Sequence, residues 1–312
     1  MRTVVTGGSG FIGSHVVERL VRAGHDVVVV DSRSHIPRPH AGADYVRVDI
    51  LDLDGLSGAF AGADAVFHLA AMADVDIIAK DPVRATRVNV DGTGTVLEAC
   101  RQVEVGRVVL ASTVWVYGAA PGEGDIPEDA ALAPDHVAHI YTAQKVAAEM
   151  LVHSYRAMYG LPFTILRYGI PYGPGMRDEL VIARFIHQAM AGRPLTISGD
   201  GSQYRYYVYV EDLADAHVLA LEPAAENQVL ALEGREQVSI KRIAEAVAAQ
   251  LGGTEVTYQP ARVADFAARP VLARRAEELL GWTPSTAFEE GLRRCVEWYQ
   301  EAGQGQRSAP PA

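Results

Sequence analysis

The stretch Thr6-Gly7-Gly8-Ser9-Gly10-Phe11-Ile12-Gly13 constrains this chain more than any other. It follows a short apolar run, Thr3-Val4-Val5, that reads as a buried strand. It leads into Ile12, Val16, Val17, Leu20 and Val21, which share one face of a helix. A strand feeding a glycine loop at a helix N-terminus offers backbone N–H groups and the positive end of the helix dipole to a phosphate. Glycines at 7, 10 and 13 allow the tight turn, the close approach of a pyrophosphate, and close packing of helix on strand. On its own such a pattern is also what an ordinary tight turn looks like. Here the next apolar run, Asp26-Val27-Val28-Val29-Val30, ends in Asp31, 18 residues after Gly13. A carboxylate at that point meets an adenosine ribose hydroxyl in dinucleotide-binding folds. Strand, loop, helix, strand and acid together predict a dinucleotide site.

A chain of 312 residues suits two domains, or one large α/β domain with a smaller lobe. Its 49% apolar content supports a sizeable core. The net charge of −11 disfavours nucleic acid as a partner. It leaves room for an anionic substrate held by a local arginine cluster. No apolar run is long enough to span a membrane, and with the glycine loop beginning at residue 7 the N-terminus is not expected to be a signal peptide. Cys100 and Cys295 are far apart and lack metal-ligand spacing. The expectation is a cytoplasmic protein with two reduced thiols and no metal.

Strands alternate with helices after Asp31. Tyr45–Asp49, Asp64–His68 and Arg107–Ala111 read as strands, Asp49-Ile50-Leu51-Asp52 opens a short helix, and Pro82 opens a long one reaching about Val103. Such alternation predicts a parallel sheet covered on both faces. Residues 118 to 139 form a Gly-, Pro- and acid-rich loop, and a loop this long is usually functional or disordered. Helical spacing returns from Tyr141 to Tyr159, followed by a strand at Phe163–Arg167. The fold expected is a Rossmann-type doubly wound α/β domain over residues 1–168, with a return near 205–232. A smaller α/β lobe covers mainly 169–300. The Gly-, Gln-, Ser- and Pro-rich tail at 303–312 has nothing to bury and is expected to be disordered.

Two further groups carry chemistry. Tyr141 and Lys145, four residues apart on a helix, share a face. An ammonium beside a phenol favours the phenolate and draws the tyrosine pKa down from about 10. The bland alternative is a solvated helix face. Ser112 and Thr113 end a core strand, where open parallel sheets bind ligands, although such a pair also commonly caps a turn.

With these residues in view, the chain resembles the extended short-chain dehydrogenase/reductases, specifically the nucleotide-sugar epimerase/dehydratase branch that includes UDP-glucose 4-epimerase-like enzymes. The resemblance covers about residues 1 to 300. It rests on the glycine loop, Asp31, Asp49, His68-Leu69-Ala70-Ala71, Asn89-Val90-Asp91-Gly92-Thr93, Ser112-Thr113 and Tyr117-Gly118, and Tyr141/Lys145. Arg167, Tyr172-Gly173-Pro174-Gly175, Gly199 to Arg205, and Leu279-Leu280-Gly281-Trp282 continue it in the same order. The resemblance implies that Gly7, Gly10 and Gly13 carry the pyrophosphate of NAD, with N–H groups from Phe11 and Ile12. It implies that Asp31 holds the adenosine ribose, that Asp49 and Ile50 contact adenine, and that Leu69, Ala70 and Ala71 line the path to the nicotinamide. Lys145 is implied to hold the nicotinamide ribose, Tyr141 to act as general base, Thr113 to steady the sugar oxygen, and Arg205 and Arg262 to clamp a substrate diphosphate. A homodimer through the helices at Pro82 and Tyr141 is implied in the same way.

The departures narrow the reaction. Dehydratases of this branch carry Asp-Glu directly after the threonine and decarboxylases a Glu; this chain has Val114-Trp115, which cannot serve as acid or base. Ile170 stands where an asparagine that touches the diphosphate is usual, and Tyr206 where Asp commonly follows the arginine. The expected function is NAD-dependent epimerisation of a nucleotide sugar, most simply at C4 through a transient 4-keto sugar. A nucleotide-sugar 4-ketoreductase or dehydrogenase with net cofactor turnover is the alternative, and a non-catalytic NAD-binding sensor a remote one.

Overall fold

The computed structural model describes residues 1–118, 124–132, 137, 139–260 and 269–307. In chain order the early elements are β1 (Arg2–Thr6), α1 (Phe11–Arg22), β2 (Asp26–Asp31), β3 (Ala43–Arg47), α2 (Leu53–Phe60) and β4 (Ala65–His68). Next come α3 (Val75–Lys80), α4 (Pro82–Thr86), α5 (Gly92–Gln102), β5 (Arg107–Thr113), β6 (Ile126–Pro127), α6 (Ile140–Tyr159) and β7 (Phe163–Tyr168). Then follow β8 (Ile170–Tyr172), α7 (Val181–Met190), β9 (Leu195–Ser198), β10 (Tyr204–Tyr209), α8 (Val210–Leu219) and β11 (Gln228–Leu232). The chain closes with β12 (Gln237–Ser239), α9 (Ile240–Gln250), β13 (Val256–Gln259), β14 (Val271–Leu272), α10 (Arg275–Leu280) and α11 (Phe288–Arg307). It divides into two compact units, one of residues 1–169, 213–232 and 271–283, the other of 170–212, 233–270 and 284–312.

The first unit is built on a parallel sheet of seven strands in the order β11-β7-β5-β4-β1-β2-β3. The order reverses direction at β1, between β2 and β4, which opens a crevice at the carboxyl ends of the strands. Register brings those ends level: Thr6 pairs with Val30 and with His68, and Ser112 and Thr113 pair with Arg167 and Tyr168. Because helices cover both faces, the strands read as unbroken apolar runs rather than alternating ones. Val4, Val28, Val66 and Leu110 pack with Leu56, Phe60, Val96, Leu97, Cys100 and Val152 in one such layer.

The long helix expected from Pro82 to about Val103 is not one regular helix. Residues Arg87–Asp91 form a π turn between α4 and α5. The wider turn carries a buried Asn89, whose amide bonds to groups off the helix offset the local loss of regular i→i−4 bonding. α11 extends to Arg307, into the segment 303–312 expected to be disordered. Residues 308–312 lie outside the described residues.

The second unit holds a three-stranded sheet, β12-β10-β8, and a parallel pair of β9 and β13. Tyr172, Tyr207 and Phe288 pack ring against ring within it, and Tyr209 joins them at Tyr172. The Asp212 carboxylate accepts hydrogen bonds from the Ser285 and Thr286 hydroxyls and the Thr286 N–H, anchoring the segment that leads into α11.

The β1–α1 loop leaves no room for a side chain at Gly7 or Gly13. A Cβ on Gly13 would stand 2.3 Å from the Gly7 carbonyl oxygen and 2.7 Å from the Gly8 Cα. Gly58, inside α2, has nothing within 4 Å of its Cβ position. Gly13→Ala is therefore expected to lower stability by about 1–3 kcal/mol through overpacking. Gly58→Ala should be neutral or stabilising, because alanine is the better helix former. Urea unfolding of the two variants beside the parent chain checks both, and equal midpoints for Gly13→Ala and parent would refute the close packing.

Candidate active site

The glycine loop passes directly over the start of the loop that follows β4. Gly7, at φ +71°, accommodates that approach: a Cβ there would lie 2.7 Å from the Ala70 backbone. Leu69 N–H donates to the Thr6 carbonyl at 3.1 Å, and Ala70 N–H to the Thr6 hydroxyl at 3.4 Å. Gly10 is the N-cap of α1 and supplies no side-chain cap, so the first turn at Phe11 and Ile12 keeps its amide groups for another acceptor. The Ser9 hydroxyl is buried in this loop without a hydrogen-bond partner among the described residues. Asp31, at the end of β2, accepts the Ser9 N–H at 3.2 Å and the Arg33 N–H at 3.1 Å, which ties the acid to the loop. Asp49 accepts the Leu51 N–H at 3.0 Å, and Ile50 packs against Gly92, where a Cβ would come within 2.6 Å. A glycine-lined cradle, an unpartnered buried Ser9 hydroxyl and an acid at the next strand end fit a dinucleotide.

A second group gathers where α6 crosses the end of β5. Tyr141 and Lys145 lie one turn apart near the start of α6, with the lysine nitrogen 5.9 Å from the centre of the phenol ring. Lys145 is buried and donates to the Ala111 carbonyl at 2.8 Å. Burial pushes its pKa down to about 8, and the Glu149 carboxylate one turn further along opposes that fall. Thr113 closes β5, and its hydroxyl accepts the Trp115 N–H at 3.2 Å. The half-exposed Trp115 indole stands edge-on to Tyr141, ring centres 6.3 Å apart. No carboxylate occupies positions 114 or 115. The structure thus assembles Thr113, Tyr141 and Lys145 on adjoining elements at the carboxyl edge of the sheet.

Sequence reasoning named His68, Asn89, Ser112 and Arg167 within motifs but missed Glu149 and the three buried polar groups these residues form behind this edge. Asn89 donates to the Met72 carbonyl and to Gln144 and accepts the Met72 N–H, locking the loop after β4 to α6. His68 lies between the hydroxyls of Thr6 at 2.8 Å and Thr93 at 3.1 Å. Thr93 spends its hydrogen on the Asn89 carbonyl, so it must accept from His68 Nε2–H, leaving Nδ1 to accept from Thr6. Burial and the Lys145 charge lower the His68 pKa to about 3. Ser112, Glu149 and Arg167 form the third group, an ion pair whose side chains are 2% and 8% exposed, joined by a serine hydroxyl. The spacing of Glu149, four residues past Lys145 and eight past Tyr141, was the available signal.

Of the two arginines expected at a substrate diphosphate, Arg205 lies on β10 in the second unit and donates to the Tyr204 carbonyl at 2.8 Å. Burial raises the neighbouring Tyr207 hydroxyl to about 12 while the Arg205 charge opposes the rise. Ile170 pairs with Tyr207 across β8 and β10. Arg262 lies outside the described residues.

The neutral histidines set an acid limit on the fold. His217 is likewise buried, held by the Tyr168 hydroxyl and the Leu213 carbonyl, and burial lowers its pKa to about 4. As pH falls below 6.5, the ordinary histidine value, the unfolded chain takes up protons at His68 and His217 that the folded chain refuses until about 3 and 4. Stability therefore drops across that window, by about 1.4 kcal/mol per unit of difference at each site. Urea midpoints measured between neutral and acid pH should fall, and fall less in His217→Gln; parallel curves for parent and variant would refute the neutral assignment.

The whole chain is similar to characterised nucleotide-sugar enzymes. It is 36% identical to UDP-glucose 4-epimerase of Mycolicibacterium smegmatis, over 97% of this chain and 100% of the relative. It is 31% identical to UDP-glucuronate 4-epimerase of Thermodesulfobacterium geofontis, over 96% of each. The crystal structure of Thermotoga maritima UDP-glucose 4-epimerase with UDP-glucose superposes with a TM-score of 0.90 at 32% identity, covering 97% of this chain and 99% of that one. Residues 3–231 match the NAD dependent epimerase/dehydratase family. The chain belongs to that family, the nucleotide-sugar branch of the extended short-chain dehydrogenase/reductases, and NAD is its cofactor.

Proposed function

We propose that this protein interconverts nucleotide sugars epimeric at C4, with Tyr141 as the proton-transferring group. The observation that carries the reading is the buried Lys145 nitrogen 5.9 Å from the Tyr141 ring centre at the carboxyl edge of the sheet. A cation held there stabilises a phenolate, the form that accepts a proton from a sugar hydroxyl. The relatives named UDP-glucose and UDP-glucuronate 4-epimerase support the same reaction. Val114 and Trp115, having no carboxylate, argue against elimination of water, which needs an added acid and base on the substrate.

NAD, when bound, supplies the hydride acceptor and donor for C4. The chain's own residues do the rest. Gly7, Gly10 and Gly13 would leave space for the pyrophosphate, with the N–H groups of Phe11 and Ile12 and the positive end of α1 facing it. The Asp31 carboxylate would take the adenosine ribose hydroxyls and repel a 2′-phosphate. Asp49 and Ile50 would flank the adenine, and Leu69, Ala70 and Ala71 would border the nicotinamide. Lys145 would hold the nicotinamide ribose while stabilising the Tyr141 phenolate. Tyr141 removes the proton of the 4-hydroxyl, Thr113 hydrogen-bonds the same oxygen, and Tyr141 returns the proton after the 4-keto sugar has presented its other face. Arg205 and Arg262 would neutralise the substrate diphosphate by bidentate hydrogen bonds.

Two statements about the setting belong to the same reading. Val83 on α4 and Met150 and Met158 on α6 are exposed apolar side chains, as a homodimer contact through these helices would need. Action in the cytoplasm is part of the same proposal; among the described residues no helix is long and apolar enough to cross a membrane.

Incubation with UDP-glucose, UDP-glucuronate and their N-acetylated counterparts, followed by chromatography and mass spectrometry, tests the proposal. The expected product has unchanged mass and a new retention time, with no net consumption of added cofactor. Net reduction or oxidation would replace this reading with a ketoreductase or dehydrogenase, and loss of water or carbon dioxide would overturn it. Tyr141→Phe should lower kcat about a hundred-fold or more. A Tyr141→Phe protein with undiminished turnover would remove the tyrosine from the mechanism.

A further inference from the structure

The Tyr141–Lys145 pair rests on a buried ion pair to which neither the family match nor the reaction chemistry gives a task. Tyr141, Lys145 and Glu149 succeed one another at four-residue steps along one face of α6. Beneath them Ala111 accepts the Lys145 ammonium, and the next residue of β5, Ser112, donates its hydroxyl to Glu149 Oε1 at 2.5 Å. Arg167 of β7, in register opposite Ser112, grips both oxygens of the same carboxylate, Nε to Oε1 at 3.0 Å and an Nη to Oε2 at 2.6 Å. The guanidinium stacks over the Tyr117 ring, 4.7 Å from its centre. Tyr117 in turn donates its hydroxyl to the Glu128 carbonyl at 2.6 Å. The Glu128 carboxylate accepts the N–H groups of Ala231, Arg274 and Arg275, which fixes this end of the chain of contacts to β11 and the start of α10.

Such a chain holds Glu149 still. Its Oε1 takes both Ser112 and Arg167 Nε, and Oε2 takes the second arginine nitrogen, so the carboxylate has one orientation. Ser112 and Glu149 also bind β5 to α6 at the level where Ala111 receives Lys145, so the same contact sets the approach of the lysine to Tyr141. Among the described residues the groups facing Lys145 are Tyr141 and Glu149 on its own helix, His68 from β4, held neutral, and the Ala111 carbonyl from β5. Arg167 lies behind Glu149 on β7. Glu149 is thus the anion placed to balance this ammonium.

We propose that Glu149, clamped by Arg167 and Ser112, is a positioning residue for the proton transfer at Tyr141. It acts through Lys145, holding the lysine side chain in place and keeping its positive charge beneath the phenol. This rests on the epimerase reading above. Its electrostatic half can be read without any substrate, because Lys80, Lys145 and Lys241 are the lysines of the chain and the other two are exposed.

NMR titration of isotope-labelled lysine in the full chain is the test. Lys145 should titrate near 8 in the parent protein. Glu149→Gln removes the anion and leaves Arg167 uncompensated, so Lys145 should titrate lower by about one pH unit or more. Arg167→Met leaves the carboxylate uncompensated and should move it the other way. Opposite displacements cannot come from general loosening of the core, and where one variant fails to fold the sign in the other decides. An unmoved Lys145, or displacement in the same direction in both variants, overturns the proposal. In turnover, the alkaline limb of the kcat profile should follow Lys145 in each variant while KM changes little; a limb that stays put overturns the link to proton transfer. If the parent chain isomerises no sugar nucleotide, it is the epimerase reading that falls, and the lysine titration still decides whether Glu149 governs the charge.

Discussion

The carboxyl edge of the sheet where α6 crosses β5 is arranged around a buried charge, the ammonium of Lys145. Taking such a group out of water costs several kcal/mol unless close partners replace the lost hydration. The structure meets that requirement with the Ala111 carbonyl at 2.8 Å and the Glu149 carboxylate one helical turn away. Because the compensation is partial, burial brings the lysine down to about 8 from its ordinary value, which still leaves it mostly charged at neutral pH. The same constraint reaches β4. A protonated His68 would add a second cation beside Lys145, and the two threonine hydroxyls around the ring hold the neutral tautomer instead.

The second constraint is steric and belongs to β1. Thr6 uses its carbonyl and hydroxyl to bind Leu69, Ala70 and His68, so the loop after β4 is drawn onto Gly7, where a side chain would collide with it. The glycine loop and the loop after β4 are thereby held together at the point where the strand order reverses. Electrostatics and sterics thus converge on the same edge of the sheet, one through α6 and β5, the other through β1 and β4. Asn89, projected inward by the π turn, links the two by bonding both Met72 and Gln144.

Much of this edge was legible in the chain. The strand–loop–helix pattern at residues 3–21 and the strand that ends at Asp31 read correctly because each depends on local periodicity and on spacings within about twenty residues. Tyr141 and Lys145 were legible for the same reason, since four residues on a helix always share a face. The helix expected from Pro82 to about Val103 is present without a break, but its widening to a π turn at Arg87–Asp91 was not legible. Propensity carries no mark of a π turn; the buried partners of Asn89 at Met72 and Gln144 decide it.

By itself the sequence determined the order of strands and helices, the glycine cradle, and the tyrosine and lysine on one helix face, all of which follow from short-range geometry. Tertiary structure alone decided which groups meet behind them. Ser112, Glu149 and Arg167 are separated along the chain and come together only because β5 and β7 pair in parallel, Ser112 opposite Arg167, with α6 packed across them. It also decided the charge states, since the pKa values of Lys145, His68 and His217 are set first by exclusion of water, a property of the packed chain that no stretch of residues holds alone.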